Sequence, residues 1–263
     1  MGEETLMLSD EQLLRYSRQI MLPDVDIHGQ ETWLNSSVLI IGLGGLGSPV
    51  AMYLAAAGVG ELILVDDDEV DLSNLQRQIA HNVRRIGTPK VDSARNTIAG
   101  INPDTRVKSI NERLEEDALN RLVATVDLVV DCTDNFSSRF AINRACFAHK
   151  KPLVSGAAIR MEGQVAVYDP LQADSPCYQC LYKEGEDEAL TCSESGVLSP
   201  LVGIIGSVQA LEALKVLASV GDSLAGRLLL LDAKAMQWRS MKLRKDPHCP
   251  VCSGQHVGEK ADV

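Results

Sequence analysis

The chain has 263 residues, 45% of them hydrophobic and 23% charged, the composition of an ordinary soluble globular protein with room for a full-sized core but not for a multidomain assembly. Its 25 Lys and Arg stand against 36 Asp and Glu, and the net charge of −11 has the wrong sign for gripping a nucleic-acid backbone. No export signal is expected from the acidic opening MGEETLMLSDEQLL, and no membrane span from the apolar stretch 38–65, which glycines, Pro49 and Glu61 interrupt. Seven cysteines in such a chain point to reduced thiols and metal ligands, and so to a cytoplasmic protein.

Over residues 10–22, Leu13, Leu14, Ser17 and Ile20 or Met21 recur at helical spacing behind the capping pair Ser9 and Gln12, which predicts one short leading helix. Residues 37–41 (SVLII) form a β-branched run that ends at GLGGLG, and residues 49–57 after it are rich in Ala, Leu and Met: strand, glycine turn, helix. A second buried strand over 61–65 (ELILV) completes a parallel, right-handed βαβ unit. Further strands are predicted over 107–110, 126–130, 152–155 and 164–168, with helices over 90–100, 115–124 and 138–149. Around Gly156 the pattern becomes strand-rich, so the sheet is expected to turn antiparallel at its edge. Residues 185–195 read as a polar mobile loop, 201–219 as a long helix, 227–231 and 237–243 as two last strands, and 253–263 as a flexible tail. The expected fold is α/β within one domain, 10–252. A Rossmann-like half (10–155) has a mostly parallel sheet that continues into antiparallel strands, and the other half (156–252) is stapled by zinc.

Gly42, Gly44 and Gly47 fit G-x-G-x-x-G between a strand and a helix, and Asp66 ends the next strand, where a ribose-binding carboxylate belongs. Glycines let backbone N–H groups approach a phosphate, but that suits nicotinamide, flavin and ATP enzymes alike. The stretch DDDEVDLSNLQRQI is more selective, because it adds Ser73, Asn74, Gln76 and Arg77 within about one helical turn, a cluster a dehydrogenase does not need. Lys90, opening a helix after Pro89, and the strand end Asp131-Cys132-Thr133-Asp134-Asn135 fall where an open α/β sheet gathers its ligand chemistry. Lys90 can neutralise phosphate, and Asp134 can hold Mg²⁺.

Cys177-x-x-Cys180 and Cys249-x-x-Cys252 supply the four thiolates of a closed structural Zn²⁺ site, in which no position is left for a catalytic water. Two unrelated turn pairs or a redox motif are the alternatives, though neither pair precedes a thioredoxin-like helix. Cys132 and Cys146 read as packed core thiols. Cys192, in the polar ALTCSESG, is open to a structural or a nucleophilic reading, with no histidine nearby in sequence to activate it. His28, His81 and His149 show no ligand spacing and read as ordinary polar residues.

LLRYSRQI, the run from VLIIGLGGLG through SNLQRQ, GTPKVDSAR, DCTDN, SGAAIRMEGQV and the two C-x2-C pairs together resemble the MoeB/ThiF/HesA family of sulfur-carrier adenylyltransferases, relatives of the ubiquitin-activating enzymes. The likeness runs from Leu13 to Cys252. SGAAIRMEGQ and ALTCSESGVLSPLVGIIGS resemble the molybdopterin branch, whereas DDDEV and QWRS are more similar to the thiamine branch. The resemblance implies a homodimer that binds ATP and Mg²⁺, docks a ubiquitin-like sulfur carrier on the 156–252 half, and adenylates the carboxylate of its Gly-Gly tail with release of pyrophosphate. The carrier would be the small subunit of molybdopterin synthase, for molybdenum cofactor biosynthesis; the alternative is the thiamine-pathway carrier, or both. By the same resemblance Gly42, Gly44, Gly45 and Gly47 approach the nucleotide, Asp66 binds ribose, and Ser73, Asn74 and Asn135 position the nucleotide. Arg77 and Lys90 hold phosphates, Arg18 reaches across from the neighbouring subunit, and Asp134 holds Mg²⁺. Sulfur would come from a separate sulfurtransferase or cysteine desulfurase, and a fused rhodanese-like domain after residue 252 is not expected. In the thiamine branch the cysteine matching Cys192 takes part in carrying sulfur; in the molybdopterin branch adenylation is enough.

Overall fold

Apolar runs too short for helices and rich in Val, Ile and Leu bury both faces when they pair in parallel, and that is how this chain uses them. The computed structural model describes residues 8–184 and 196–253. Its eight strands are β1 (Ser37–Ile41), β2 (Glu61–Val65), β3 (Arg106–Ile110), β4 (Leu128–Asp131), β5 (Leu153–Ile159), β6 (Glu162–Tyr168), β7 (Arg227–Asp232) and β8 (Gln237–Lys242), in the order β3-β2-β1-β4-β5-β6-β7-β8. The first five pair in parallel. β5 runs four residues past the predicted strand end, to Ile159, and turns back into β6, so from there the sheet is antiparallel.

Alternation along β1 divides the core. Val38 and Ile40 face α4 (Gly47–Ala57), α5 (Lys90–Ile101) and α9 (Ser199–Ala218), in a cluster with Val50, Leu54, Ile98 and Ile205. Leu39 faces the other way, toward α6 (Glu116–Ala124) and α7 (Phe136–Ala148), with Val123, Phe140 and Ile142. Among the described residues α9 alone is long and apolar enough to cross a membrane. Here Leu201, Ile205, Ala210 and Ala213 of α9 lie in the protein core.

The leading segment departs from the single helix expected over 10–22. The capping box of Ser9 and Gln12 forms, but the helix breaks at Tyr16 into α1 (Asp10–Arg15) and α2 (Ser17–Ile20). The reason lies far away in sequence: Tyr16 is buried against the left-handed Gly58 that ends α4, and its hydroxyl accepts a hydrogen bond from Asn102 Nδ2 at 2.8 Å. Leu13 and Leu14, the expected apolar stripe, stay exposed. The sequence reading also lacks α3 (Asp26–Asn35), which has no side-chain cap, begins with Asp26 at a left-handed φ of 49° and carries Gly29 inside it. Such a helix has no local signal. It is held by tertiary bonds, Gln30 Nε2 to the Ala57 carbonyl (2.9 Å) and Trp33 Nε1 to the Leu214 carbonyl (2.9 Å). The segment 185–195, with Cys192, and residues 254–263 of the predicted tail lie outside the described residues.

Asn102 also donates to the Ala55 carbonyl at 2.7 Å, so one buried amide ties the leading helices to the end of α4. Asn102→Ala is expected to cost about 1–3 kcal/mol through the orphaned acceptors, lowering the melting temperature by roughly 3–8 °C in a chain of this size. An unchanged melting curve by circular dichroism would show that the amide does not anchor the leading segment.

Candidate active site

The chain leaves β1 into α4 on one face of the sheet and leaves β4 into α7 on the other, so a crevice opens beyond the carboxyl ends of these neighbouring strands. The turn after β1 has little space. Gly42 sits at φ 90°, and a Cβ on Gly47 would lie 1.9 Å from the Gly42 carbonyl oxygen. Gly47 is therefore packed inside the turn, while Gly42, Gly44 and Gly45 line a cavity of about 730 Å³, within the range of small-ligand sites.

Asp66, at the end of β2, accepts the Leu43 N–H at 2.6 Å and the Asp68 N–H at 2.9 Å. Burial raises its carboxyl above the ordinary value, against the lowering pull of Lys90 and of these two donors. Lys90 opens α5 behind Pro89 and is only 4% exposed, its Nζ donating to Asp68 Oδ2 at 2.7 Å. Asp68 is itself exposed, so the ammonium has a partner that water can replace. Asn74 ends a short 3-10 turn, Leu72–Asn74, and Arg77 follows it, its Nη2 donating to Asn74 Oδ1 at 3.0 Å. No carboxylate pairs with Arg77 among the described residues.

From β4 the segment 132–135 enters the same cavity. Asp134 is exposed and has no hydrogen bond or ion pair among the described residues, which leaves its carboxylate free for a cation. Asn135 caps α7, its Oδ1 accepting from the Ser138 N–H at 2.9 Å. Beneath the segment, buried Asp131 accepts the Thr133 hydroxyl (2.7 Å) and the Ser155 hydroxyl (2.8 Å). Burial pushes the Cys132 thiol well up, so it is no thiolate nucleophile.

Of the residues singled out from sequence, Gly42, Gly44, Gly45, Asp66, Asn74, Arg77, Lys90, Asp134 and Asn135 meet at this cavity. Ser73 does not line it: its hydroxyl and N–H both go to Asp71 Oδ1, within the cap of the 3-10 turn. Arg18 lies exposed on α2 and does not line its own chain's cavity. The sequence reading lacks two cations. Arg113 lines the cavity with no ion pair among the described residues, and a local signal existed: it follows the carboxyl end of β3 much as Asp66 follows β2 and Asp134 follows β4. Arg139 had no such signal. Its buried Nη2 donates to the Thr133 carbonyl (2.6 Å) and the Gly156 carbonyl (3.2 Å), bracing the Asp134 segment against β5. The cavity also extends over β5 and β6, where Ala157, Ala158 and Gly163 present little side chain beside Gln164 and Tyr182.

The four cysteines converge elsewhere. Cys177 Sγ is 3.5 Å from Cys249 Sγ and 4.0 Å from Cys180 Sγ, Cys180 Sγ is 3.3 Å from Cys252 Sγ, and all four lie within 4.8 Å of one another. Tetrahedral zinc with Zn–S bonds of about 2.3 Å needs sulfurs roughly 3.8 Å apart, so the cluster fits that ion. The Cys177 thiol's hydrogen bond pulls Cys180 down while burial pushes Cys252 up. A divalent cation would stabilise the four thiolates together. The cluster joins residues 249–252 to α8 (Tyr178–Leu181), whose Tyr178 stacks on Phe140 and Tyr182 and donates its N–H to Asn143 Oδ1 at 2.9 Å.

The model of the ThiF family matches residues 16–251. The chain is 51% identical over 245 residues to the molybdopterin-synthase adenylyltransferase of Escherichia coli (strain K12), covering 93% of this chain and 98% of the relative. It is 45% identical over 250 residues to the sulfur carrier protein ThiS adenylyltransferase of the same strain, covering 95% and 99%. Among solved structures, E. coli MccB with ATP superposes with a TM-score of 0.80 at 22% identity, over 90% of this chain and 74% of that one, a likeness of fold.

Cys177→Ser is expected to remove the zinc and to lower the melting temperature by several degrees, while changing the ATP affinity of the folded fraction less than about threefold. Metal analysis of the purified variant beside the wild type checks this; equal zinc content in the two would exclude the four-cysteine site.

Proposed function

This chain is an adenylyltransferase of the ThiF family, and we propose that it activates the C-terminal Gly-Gly carboxylate of the ubiquitin-like small subunit of molybdopterin synthase. The observation that carries the reading is a single cavity. It gathers the cations Arg77, Lys90 and Arg113 and Asp134, unpaired among the described residues, beyond the ends of the parallel strands, and continues over β5 and β6 past residues too small to block a slim peptide tail.

The chemistry asks for charge neutralisation rather than for a base, because a C-terminal carboxyl, with an ordinary pKa near ~3.5, is already ionised at neutral pH. A carboxylate oxygen attacks the α-phosphorus of ATP. The acyl-phosphate bond forms as the bond from that phosphorus to the bridging oxygen of the β-phosphate breaks, and pyrophosphate leaves with the electron pair. Asp66, held ready by the Leu43 and Asp68 N–H groups, accepts the ribose hydroxyls. Lys90 exchanges exposed Asp68 for phosphate oxygens, and Arg77, which bonds Asn74 and no acid among the described residues, binds them without giving up an ion pair. Asp134, beside Asn135, would hold Mg²⁺, which supplies further neutralisation of the phosphates. Zn²⁺ at the four cysteines is structural in this reading and takes no part in the transfer.

A homodimer accounts for Arg18. It projects from α2 among exposed apolar side chains, with Leu14 77% and Met21 70% exposed, a patch of the kind that subunit contacts cover. The 156–252 half would dock the carrier, and a separate sulfurtransferase or cysteine desulfurase in the cytoplasm would deliver sulfur to the acyl-adenylate. The thiamine-pathway carrier is the second reading, favoured by the 45% identity to the ThiS adenylyltransferase.

ATP–pyrophosphate exchange with each purified carrier is the test. Exchange with the molybdopterin-type carrier alone is expected, exchange with the thiamine-type carrier alone would transfer the assignment to that pathway, and exchange with neither would sink both. Asp134→Ala is expected to stay folded and lose at least a hundredfold in exchange rate. Mixing Arg18→Ala with Lys90→Ala subunits is expected to restore about a quarter of wild-type activity, since only a mixed dimer with Arg18 acting across the interface has an intact site. No restoration would mean that Arg18 acts within its own chain or not at all.

A further inference from the structure

We propose that His81, which does not line the cavity, is a positioning residue that aims the backbone N–H of Gly44 at the nucleotide. The proposal rests on the adenylyltransferase reading. His81 stands between the two elements that would flank the phosphates. Its Nε2 lies 3.0 Å from the carbonyl oxygen of Leu43, inside the glycine turn, and its Nδ1 lies 2.9 Å from Ser93 Oγ, on α5 one turn beyond Lys90.

The partners determine the tautomer. A carbonyl oxygen can only accept, so Nε2 carries the proton, and Nδ1 accepts from the Ser93 hydroxyl. Burial keeps the ring below its ordinary pKa, in keeping with this neutral form. Leu43 is therefore clamped at both ends, its N–H by Asp66 at 2.6 Å and its carbonyl by His81.

Peptide planarity carries this clamp one residue further. In a trans peptide the carbonyl of one residue and the N–H of the next point in opposite directions, and the chain has no cis bond among the described residues. Turning the Leu43 carbonyl toward His81 thus turns the Gly44 N–H away from it. Gly44 lines the cavity, and its N–H has no acceptor among the described residues. A backbone donor with no partner, at the edge of a cavity lined by Arg77 and Lys90, fits a phosphate oxygen. Without the imidazole the 43–44 peptide is free to rotate and the donor loses its aim.

Two nearly isosteric variants separate aim from packing: His81→Met fills the space without a donor, and His81→Gln keeps an amide N–H that can reach the Leu43 carbonyl. ATP with Mg²⁺ is titrated into each by calorimetry, alongside thermal melting and pyrophosphate exchange. His81→Met is expected to bind ATP about tenfold more weakly, the size of one lost hydrogen bond to a charged group. Its KM for ATP should rise in parallel and its KM for the carrier stay unchanged, and His81→Gln should recover to within about threefold of wild type. A His81→Met protein that is folded and binds ATP as tightly as wild type overturns the proposal, as does a folded His81→Gln no better than the Met variant. If neither variant folds, the wild type decides: with glycine ¹⁵N labelling, the Gly44 amide resonance is expected to move downfield and gain exchange protection on adding ATP, and no change overturns the proposal. Wild-type protein that binds ATP but exchanges no pyrophosphate defeats the functional reading, while the binding comparison still decides the role of His81.

Discussion

The parallel pairing of β1 with β4 is the constraint on which the rest of the molecule depends. Val38 to Ile41 lies in register with Leu128 to Asp131, so the glycine turn and the Asp134 segment leave the sheet side by side. The two exits then diverge to opposite faces, and backbone N–H groups, a carboxylate and cations from distant parts of the chain meet in the gap between them. Much else serves to hold those two exits still. Asp131 and Arg139 brace one from below, and Asp66 and His81 clamp the other.

Charge on this molecule is arranged locally against the global balance. A chain of net charge −11 repels polyanions at a distance, yet Arg77, Lys90 and Arg113 line one cavity. Buried Lys90 is paired with exposed Asp68, a partner whose hydration makes it replaceable. Of these cations only Lys90 has an acidic partner among the described residues, so the cavity keeps a local positive charge within an acidic chain.

The antiparallel extension serves a second purpose. Continuing the sheet from β5 through β8 lengthens the crevice over small residues and brings the last described residues back toward the middle of the chain, where the four-cysteine cluster joins them to α8. Tyr178 lies between that cluster and α7, so the staple bears on the helix that also carries Arg139. The part of the cavity beside the glycine turn and the part over β5 and β6 thereby share one braced wall.

The sequence by itself determined the parts whose physics is local. A glycine turn between strand and helix, a Lys after Pro89, acids at strand ends and paired C-x2-C knuckles each owe their meaning to neighbours within a few residues, whereas Gly45 was reached only through the family resemblance. Tertiary structure decided the rest. Tyr16 breaks the leading helix because Asn102 and Gly58 wait for it 86 and 42 residues on, and α3 exists because Ala57 and Leu214 offer carbonyls to its side chains. His81, to all appearance an ordinary polar residue in the sequence, acquires its bonds only when the sheet brings Leu43 beneath it. Ser73 was lost from the cavity to a hydrogen bond with Asp71 just two residues away, a competition that spacing cannot decide. Periodicity and motif record what a segment can bury or bind; which of its polar groups remain free to do so depends on partners that only the folded chain supplies.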